Sequence, residues 1–303
     1  MSSGHDSVDV LMLGAGWTST FLIPLLSEKK ISYASTTRDG RDGSFKFSFD
    51  PQEDSPSGDF KKLPNAKAIV IIFPIYESGG SKKLVDWYRQ SHPSLHDDEI
   101  RWIQLGSTGI WDNGPTLAED VKTVKSPYID RHSTFNPSNA RANAENELLA
   151  LHTPKESHNT VAILNLCGLY GGTRSIRRYV GRIAGTKEQL RAKGAIHMIH
   201  GVDVARAILA TAKGPSHMMG ERWLLTDLRV YDWYDLASKW GTAGEDGRGK
   251  PMEGPQADWV LELMQEQNIR ALPRSAEQLG KALDSREFWH KAGISPIMGG
   301  QLD

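Results

Sequence analysis

Three short stretches of the chain carry residue types whose spacing suits the binding of a phosphorylated ligand. In the run Val10-Leu11-Met12-Leu13-Gly14-Ala15-Gly16-Trp17-Thr18-Ser19 an apolar strand leads straight into a glycine-rich turn and a helix start. Two glycines let the backbone turn sharply and approach a pyrophosphate. The first helical turn, from Trp17 through Thr18 to Ser19, then offers N–H groups and a positive dipole end. Ser19 replaces the third glycine of such motifs, so the helix is expected to pack less closely on the strand. Thr36-Thr37-Arg38 lies at the end of the next strand. A dinucleotide site for NAD(H) usually presents a carboxylate here, whereas small hydroxyls and an arginine suit the 2′-phosphate of NADP(H). Thr37 and Arg38 therefore predict NADP(H), with Asp39 as an electrostatic counterweight and a solvated Arg38–Asp39 pair as the plain alternative. At Ile71-Ile72-Phe73-Pro74 a strand ends on a proline, and Phe73 and Pro74 would lay a flat apolar surface beside the cofactor.

The elements that must position these residues alternate. Strands are expected at Val8–Leu13, Ile31–Thr37, Phe45–Phe49, Ala68–Phe73, Arg101–Leu105 and Val161–Leu166. Helices are expected at Phe21–Glu28, Lys82–Ser91 and Ala140–Leu151, with Pro24 kinking the first or cutting it to a short turn. This is the pattern of βαβ units on a parallel sheet. The polar stretch Asp50–Leu63 reads as a surface excursion. After Gly171 the alternation loosens, with a Gly-rich polar stretch at Gly241–Gly254. The expected fold is α/β: a Rossmann-type doubly wound parallel sheet over residues 1–172, sharing strands from near 195–230, and a smaller C-terminal α/β substrate lobe over 173–303.

Composition excludes several classes. Thirty-six Lys and Arg against thirty-seven Asp and Glu give a net charge of -1, so no global field attracts nucleic acid or an anionic membrane. Cys167 is the only cysteine, which excludes an intramolecular disulfide and a multi-thiolate metal site and suits a reducing compartment. The ten histidines show no ligand spacing, and no metal is expected. The polar N-terminus lacks a secretory pattern, and apolar runs such as Ala68 to Ile75 are too short to span a bilayer, so a soluble, cytoplasmic protein is expected.

Four further segments, in chain order, resemble the extended short-chain dehydrogenase/reductases. Gln104-Leu-Gly-Ser107-Thr108-Gly-Ile-Trp111 is similar to the turn carrying that family's catalytic serine, with an aromatic four positions on. Gly168-Leu-Tyr170-Gly171-Gly172-Thr-Arg174 resembles its Gly-x-Tyr-Gly-x-x-Arg turn, and Ile199-His200-Gly-Val-Asp203-Val-Ala205 its largely architectural Ile-His-x-x-Asp-x-Ala segment. Gly280 to Pro296 resembles its C-terminal end.

The resemblance implies a Tyr-x-x-x-Lys pair in the helix after Ser107, where the tyrosine passes a proton and the lysine lowers its pKa. Aligning the Glu145 helix puts Pro137 and Arg141 in those places, which points to the atypical extended subgroup. Arg141 and Glu145, at i, i+4, form either a site pair or a plain helix-face salt bridge. Tyr128, His132 and Tyr170 are the groups left to supply a proton, each with a structural alternative. The reading is an NADP(H)-dependent oxidoreductase for a small organic carbonyl or alcohol, with Ser107 or Thr108 bonding the substrate oxygen. A cofactor-retaining epimerase or lyase, and a non-catalytic NADPH-sensing binding protein, are the rivals. A homodimer through the helices near Lys82–Ser91 and Ala140–Leu151 follows from the same resemblance.

Overall fold

The computed structural model describes residues 7–112, 128–241 and 254–302. The first half supplies strands β1 (Val8–Leu13), β2 (Tyr33–Thr37), β3 (Phe45–Lys46), β4 (Ala66–Ile71) and β5 (Ile100–Ser107). The short β6 (Tyr128–Ile129) precedes β7 (Asn159–Leu166) and β8 (Gly168–Tyr170). Then come β9 (Ala195–Ile196), β10 (Met198–His200), β11 (Glu221–Leu225), β12 (Tyr231–Asp232) and β13 (Ala282–Leu283). Seven of them form one parallel sheet in the order β11-β7-β5-β4-β1-β2-β3. Helices cover both faces, so the central strands are apolar on both sides, as parallel strands between two helix layers must be.

The period of two decides which core each side chain joins. Val10 and Met12 of β1 face one layer with Ala68 and Val70 of β4, against helices α1 (Ser19–Glu28) and, later in the chain, Gly201–Lys213. Leu11, Leu13, Ile69 and Ile71 face the other, against α2 (Gly80–Ser91) and α3 (Ala140–Ala150). The second lobe contains α4 (Arg177–Ile183), α5 (Lys187–Arg191), α7 (Trp233–Trp240) and α8 (Gln256–Glu266), and Gly201–Lys213 is α6. Its core of Ile176, Val180, Leu190, Tyr234 and Leu263 is joined by Leu302. The buried carboxylate of Asp232 caps α7 at Tyr234 N–H (2.8 Å) and holds the Arg274 guanidinium at 2.6 Å. Two short C-terminal helices, α9 (Ala276–Leu279) and α10 (Arg286–Ala292), complete the described elements.

Several expected bounds move. The second strand starts at Tyr33 rather than Ile31. The third covers only Phe45–Lys46, because Phe47 turns inward to pack on Phe60. β4 stops at Ile71, before the Ile72-Phe73-Pro74 bend. Pro24 does not reduce α1 to a turn: the helix runs for ten residues, and both Pro24 and Thr20, whose carbonyl loses a partner, are exposed to water. Nor is Asp50–Leu63 merely a surface excursion, since Phe60 and Leu63 are fully buried and Phe60 meets Phe47, Phe49 and Trp87 edge-on. Gly241–Gly254 lies almost wholly outside the described residues. Among those residues no helix is long and apolar enough to cross a membrane.

Candidate functional site

β2 and β3 run outward from one side of β1, and β4, β5, β7 and β11 from the other. At such a reversal the crossovers leave opposite faces and open a crevice at the strands' C-terminal ends. A groove of about 790 Å³ lies there, lined by Gly14, Gly16, Thr37, Arg38, Phe73 and Pro74 among others. Its two glycines differ. Gly14 has φ +97°, a conformation that excludes other residues for backbone reasons alone. At Gly16 no positive φ occurs, and an added Cβ would meet nothing within 4 Å, so protein packing does not demand glycine. The N–H groups of Trp17 and Thr18 have no hydrogen-bond partner among the described residues, whereas those of Ser19 and Thr20 turn back to Gly16 O (3.1 Å) and Trp17 O (3.2 Å). Ser19 is buried, and its hydroxyl donates to Gly16 O at 2.5 Å.

The far end of the groove is shaped by β2. Thr36 Oγ1 accepts from Gly14 N–H (2.9 Å), locking the first turn to the second strand. Thr37 Oγ1 accepts from Gly40 N–H (2.9 Å) and Arg41 N–H (3.1 Å), so this hydroxyl builds the turn that carries the charges. Arg41 also lines the groove and pairs with Asp39 at 3.5 Å. The sequence reading missed Arg41; its signal was a second arginine one turn beyond Arg38. The Phe73 ring stacks on Phe49 at 6.2 Å, closing the apolar wall.

Ser107 is the last residue of β5, and its Oγ accepts from Gly109 N–H at 3.1 Å, which leaves its own proton to donate. Thr108 is buried, and Trp111 is fully buried with its indole N–H on Ser133 O at 2.8 Å. Beneath this strand end lies a polar cluster that the sequence reading only half anticipated. Asn165 Nδ2 donates to Ser107 O (3.1 Å) and to Glu145 Oε2 (2.9 Å). Arg222 Nε reaches the same carboxylate oxygen at 3.2 Å, and Arg141 Nη2 donates to Leu105 O at 2.8 Å. Arg141 is thus placed at the Ser107 strand, with its Nε 3.6 Å from Glu145. Burial raises the Glu145 carboxyl above the usual range and lowers Arg222, so desolvation outweighs pairing for both partners. The cluster also explains Gly106: a Cβ there would lie 2.4 Å from Asn165 Nδ2. Asn165 and Arg222 could not be chosen from sequence, because their partner Glu145 stands 20 and 77 positions away.

The proton-donor candidates are dispersed. Tyr128 is exposed on β6, which pairs with β13. His132 is exposed and bonded to Glu287 at 3.1 Å. Tyr170 is buried against His200, its hydroxyl 2.5 Å from Met298 O, and burial pushes the phenol above its ordinary range. A phenol so bound is a poor acid. His200 caps α6 through Nδ1 on Val202 N–H (3.1 Å), and fully buried Asp203 accepts from Ile297 and Met298 N–H, both architectural roles.

No protein-family model matches the sequence, and no curated protein matches it by sequence. Solved structures do match the fold. Vestitone reductase from alfalfa is 17% identical, with TM-score 0.61 over 96% of this chain and 93% of that one. Yeast methylglyoxal/isovaleraldehyde reductase Gre2, solved with NADPH, is 15% identical with TM-score 0.59, over 98% and 95%. A UDP-N-acetylglucosamine 4-epimerase from Bacillus cereus is 11% identical with TM-score 0.58, over 95% and 94%. Over almost its whole length this chain shares the Rossmann-type α/β fold of these two reductases and of the epimerase.

Proposed function

We propose that the chain is an NADP(H)-dependent oxidoreductase of the atypical extended short-chain dehydrogenase/reductase type, acting on a small organic carbonyl or alcohol. The observation that carries this reading is the open space at Gly16 in front of two unengaged N–H groups. Open space alone does not mark a ligand site, since Gly58 has it too, but Gly16 combines it with a place in the groove at the start of a helix, where it leaves room for a ligand to approach. Gly14 and Gly16 let the pyrophosphate approach, the Trp17 and Thr18 N–H groups hold it, Ser19 braces the turn from below, and Phe73 and Pro74 flank it. Arg38 faces the 2′-phosphate, with Arg41 beside it on the groove wall. Hydrogen bonding from Thr37 holds Asp39 below the usual carboxylate range, so it is anionic at neutral pH and engages Arg41, leaving Arg38 for the ligand.

NADP(H), when bound, supplies the hydride acceptor or donor. Ser107 donates its hydrogen bond to the substrate oxygen, with Thr108 behind it, and Arg141 braces the strand that carries the serine. With Pro137 and Arg141 in place of the tyrosine and lysine, the proton comes from a group other than that tyrosine. A homodimer would use α2 and α3, which the Glu147 carboxylate joins at Gly79 N–H (2.8 Å) and Lys82 N–H (2.7 Å).

Calorimetry tests the cofactor assignment. NADPH should bind at least tenfold more tightly than NADH, the equivalent of about 1.5–3 kcal/mol for a charge-assisted contact, and Arg38→Ala should erase the difference. Equal dissociation constants in the wild type would remove NADP(H) from the proposal. A bound cofactor that never turns over free NADPH while substrate is converted would favour an epimerase or lyase.

A further inference from the structure

We infer that the substrate carries an oxyanion, a phosphate or carboxylate remote from the reacting carbon, and that Arg174, Arg177 and Arg178 receive it at the lip of the groove. The inference rests on the oxidoreductase reading and names its substrate class. Residues 173–193 hold seven Lys and Arg against the single acid Glu188, in a chain whose overall charge is -1. Not all of that charge is free. Lys187 bonds Glu262 and Glu266, and Arg191 bonds Glu266 at 2.6 Å. Arg174, Arg177, Arg178 and Arg182 are exposed, and none meets a carboxylate among the described residues.

Placement separates this patch from an ordinary solvated face. The Arg174 guanidinium lies over the Trp17 ring, 4.7 Å from its centroid, and the Trp17 indole N–H donates to Gly171 O at 3.0 Å. Trp17 follows Gly16 directly, so one arginine of the second lobe is held against the glycine turn of the first. The Gly171–Arg174 turn is closed by N–H to carbonyl bonds of 2.8 and 3.1 Å. It leads within three residues into α4, whose buried side packs Val180 into the lobe core, with Ala184 just beyond its end. Arg177 and Arg178 therefore start the same helix, roughly one helical turn from Arg174. One turn and the start of the helix after it thus carry three arginines in five residues, beside the place where Arg174 meets the glycine turn. Guanidinium is the side-chain cation best matched to a planar or tetrahedral oxyanion, because it offers paired donors. A fixed anion here would anchor one end of a small molecule whose other end reaches Ser107.

The test is calorimetric titration of the full chain with inorganic pyrophosphate and, separately, with malonate, each with and without saturating NADPH. With NADPH bound, one of the two anions is expected to bind one to one, weakening as salt rises. The Arg177→Ala/Arg178→Ala variant should weaken it about tenfold and leave NADPH affinity unchanged. The tighter anion distinguishes a phosphorylated substrate from a carboxylate. No anion binding, binding equal in variant and wild type, or anion binding abolished by NADPH would each overturn the inference. So would a tighter, arginine-dependent association with duplex DNA or anionic vesicles, which would make the patch a macromolecular surface. Because NADPH binding is read separately and the anion titration is also run without it, a failure of the cofactor assignment and a failure of this site give different results.

Discussion

At the scale of single residues, the contrast between Gly14 and Gly16 is the most informative. Gly14 is glycine for the backbone, and replacing it strains the turn whatever binds. On the proposed reading Gly16 is glycine for the ligand, so Gly16→Val should leave the thermal midpoint within a few degrees of wild type and abolish NADPH binding by calorimetry. Retained affinity would mean that the pyrophosphate lies elsewhere. Ser107 allows a second prediction. Its Oγ already accepts from Gly109, so its proton remains available to donate, and on the proposed reading Ser107→Ala should lower carbonyl reduction on the order of 10²–10³-fold through the lost transition-state hydrogen bond. Turnover unaffected by this change would remove Ser107 from the chemistry. Binding of NADPH with no turnover of any carbonyl would favour the sensor reading instead.

At the scale of elements, what matters is how the short strands of the second half are tied to the sheet. His197, between β9 and β10, is buried; its Nε2 accepts from Leu283 N–H of β13 at 2.9 Å, and its carbonyl accepts from Gly168 N–H of β8 at 2.9 Å. Burial, reinforced by the Lys281 charge, holds its pKa down to about 3. An unfolded chain protonates this ring below about 6.5, while the folded one resists until about 3, so stability is lost as pH falls through that window. The slope from this one group is at most about 1.4 kcal/mol per pH unit. His197→Gln keeps an acceptor and should flatten the curve, read as urea unfolding at pH 6.5 and pH 5. Parallel curves for variant and wild type would show that the ring is not held neutral. Cys167 stands near the same junction, and burial raises its thiol well above the ordinary range, so it is no nucleophile.

At the scale of the whole molecule, the C-terminal segment from Ser295 straps the second lobe to the first. Ser295 O accepts from Arg206 at 2.5 Å, and fully buried Asp203 receives Ile297 N–H (2.9 Å) and Met298 N–H (3.0 Å). Met298 O takes the Tyr170 hydroxyl, Gly300 N–H donates to Tyr231 Oη (3.0 Å), and Leu302 is buried in the lobe core. Asp203→Ala would leave two N–H groups without their acceptor and remove the Arg206 ion pair, and should cost about 3 kcal/mol, measured by chemical denaturation. A loss below about 1 kcal/mol would mean that the strap is held by Leu302 and the tyrosines instead. Because the strap touches β8 and α6 beside the Gly171 turn, the same variant should expose the amides of residues 168–174 to faster hydrogen exchange.

The sheet was legible in the sequence because its information is local. A buried parallel strand is a continuous apolar run, and a strand entering Gly14-Ala15-Gly16 has few other uses. Thr36-Thr37-Arg38 could be placed at the groove for the same reason, and Ser107 at the end of its strand. Tertiary structure decided what depends on neighbours distant in sequence. Phe60, inside a polar stretch, is core because Phe47 and Trp87 close over it. Thr37 shapes a turn because Gly40 and Arg41 fold back on its hydroxyl. Glu145, Asn165 and Arg222 form one buried cluster only because β7 lies between β5 and β11, and Arg174 guards the glycine turn only because the second lobe folds back onto Trp17. Composition and spacing set each segment's preferred conformation, but a contact between residues 77 or 157 positions apart is fixed by strand order and packing, which no local pattern encodes.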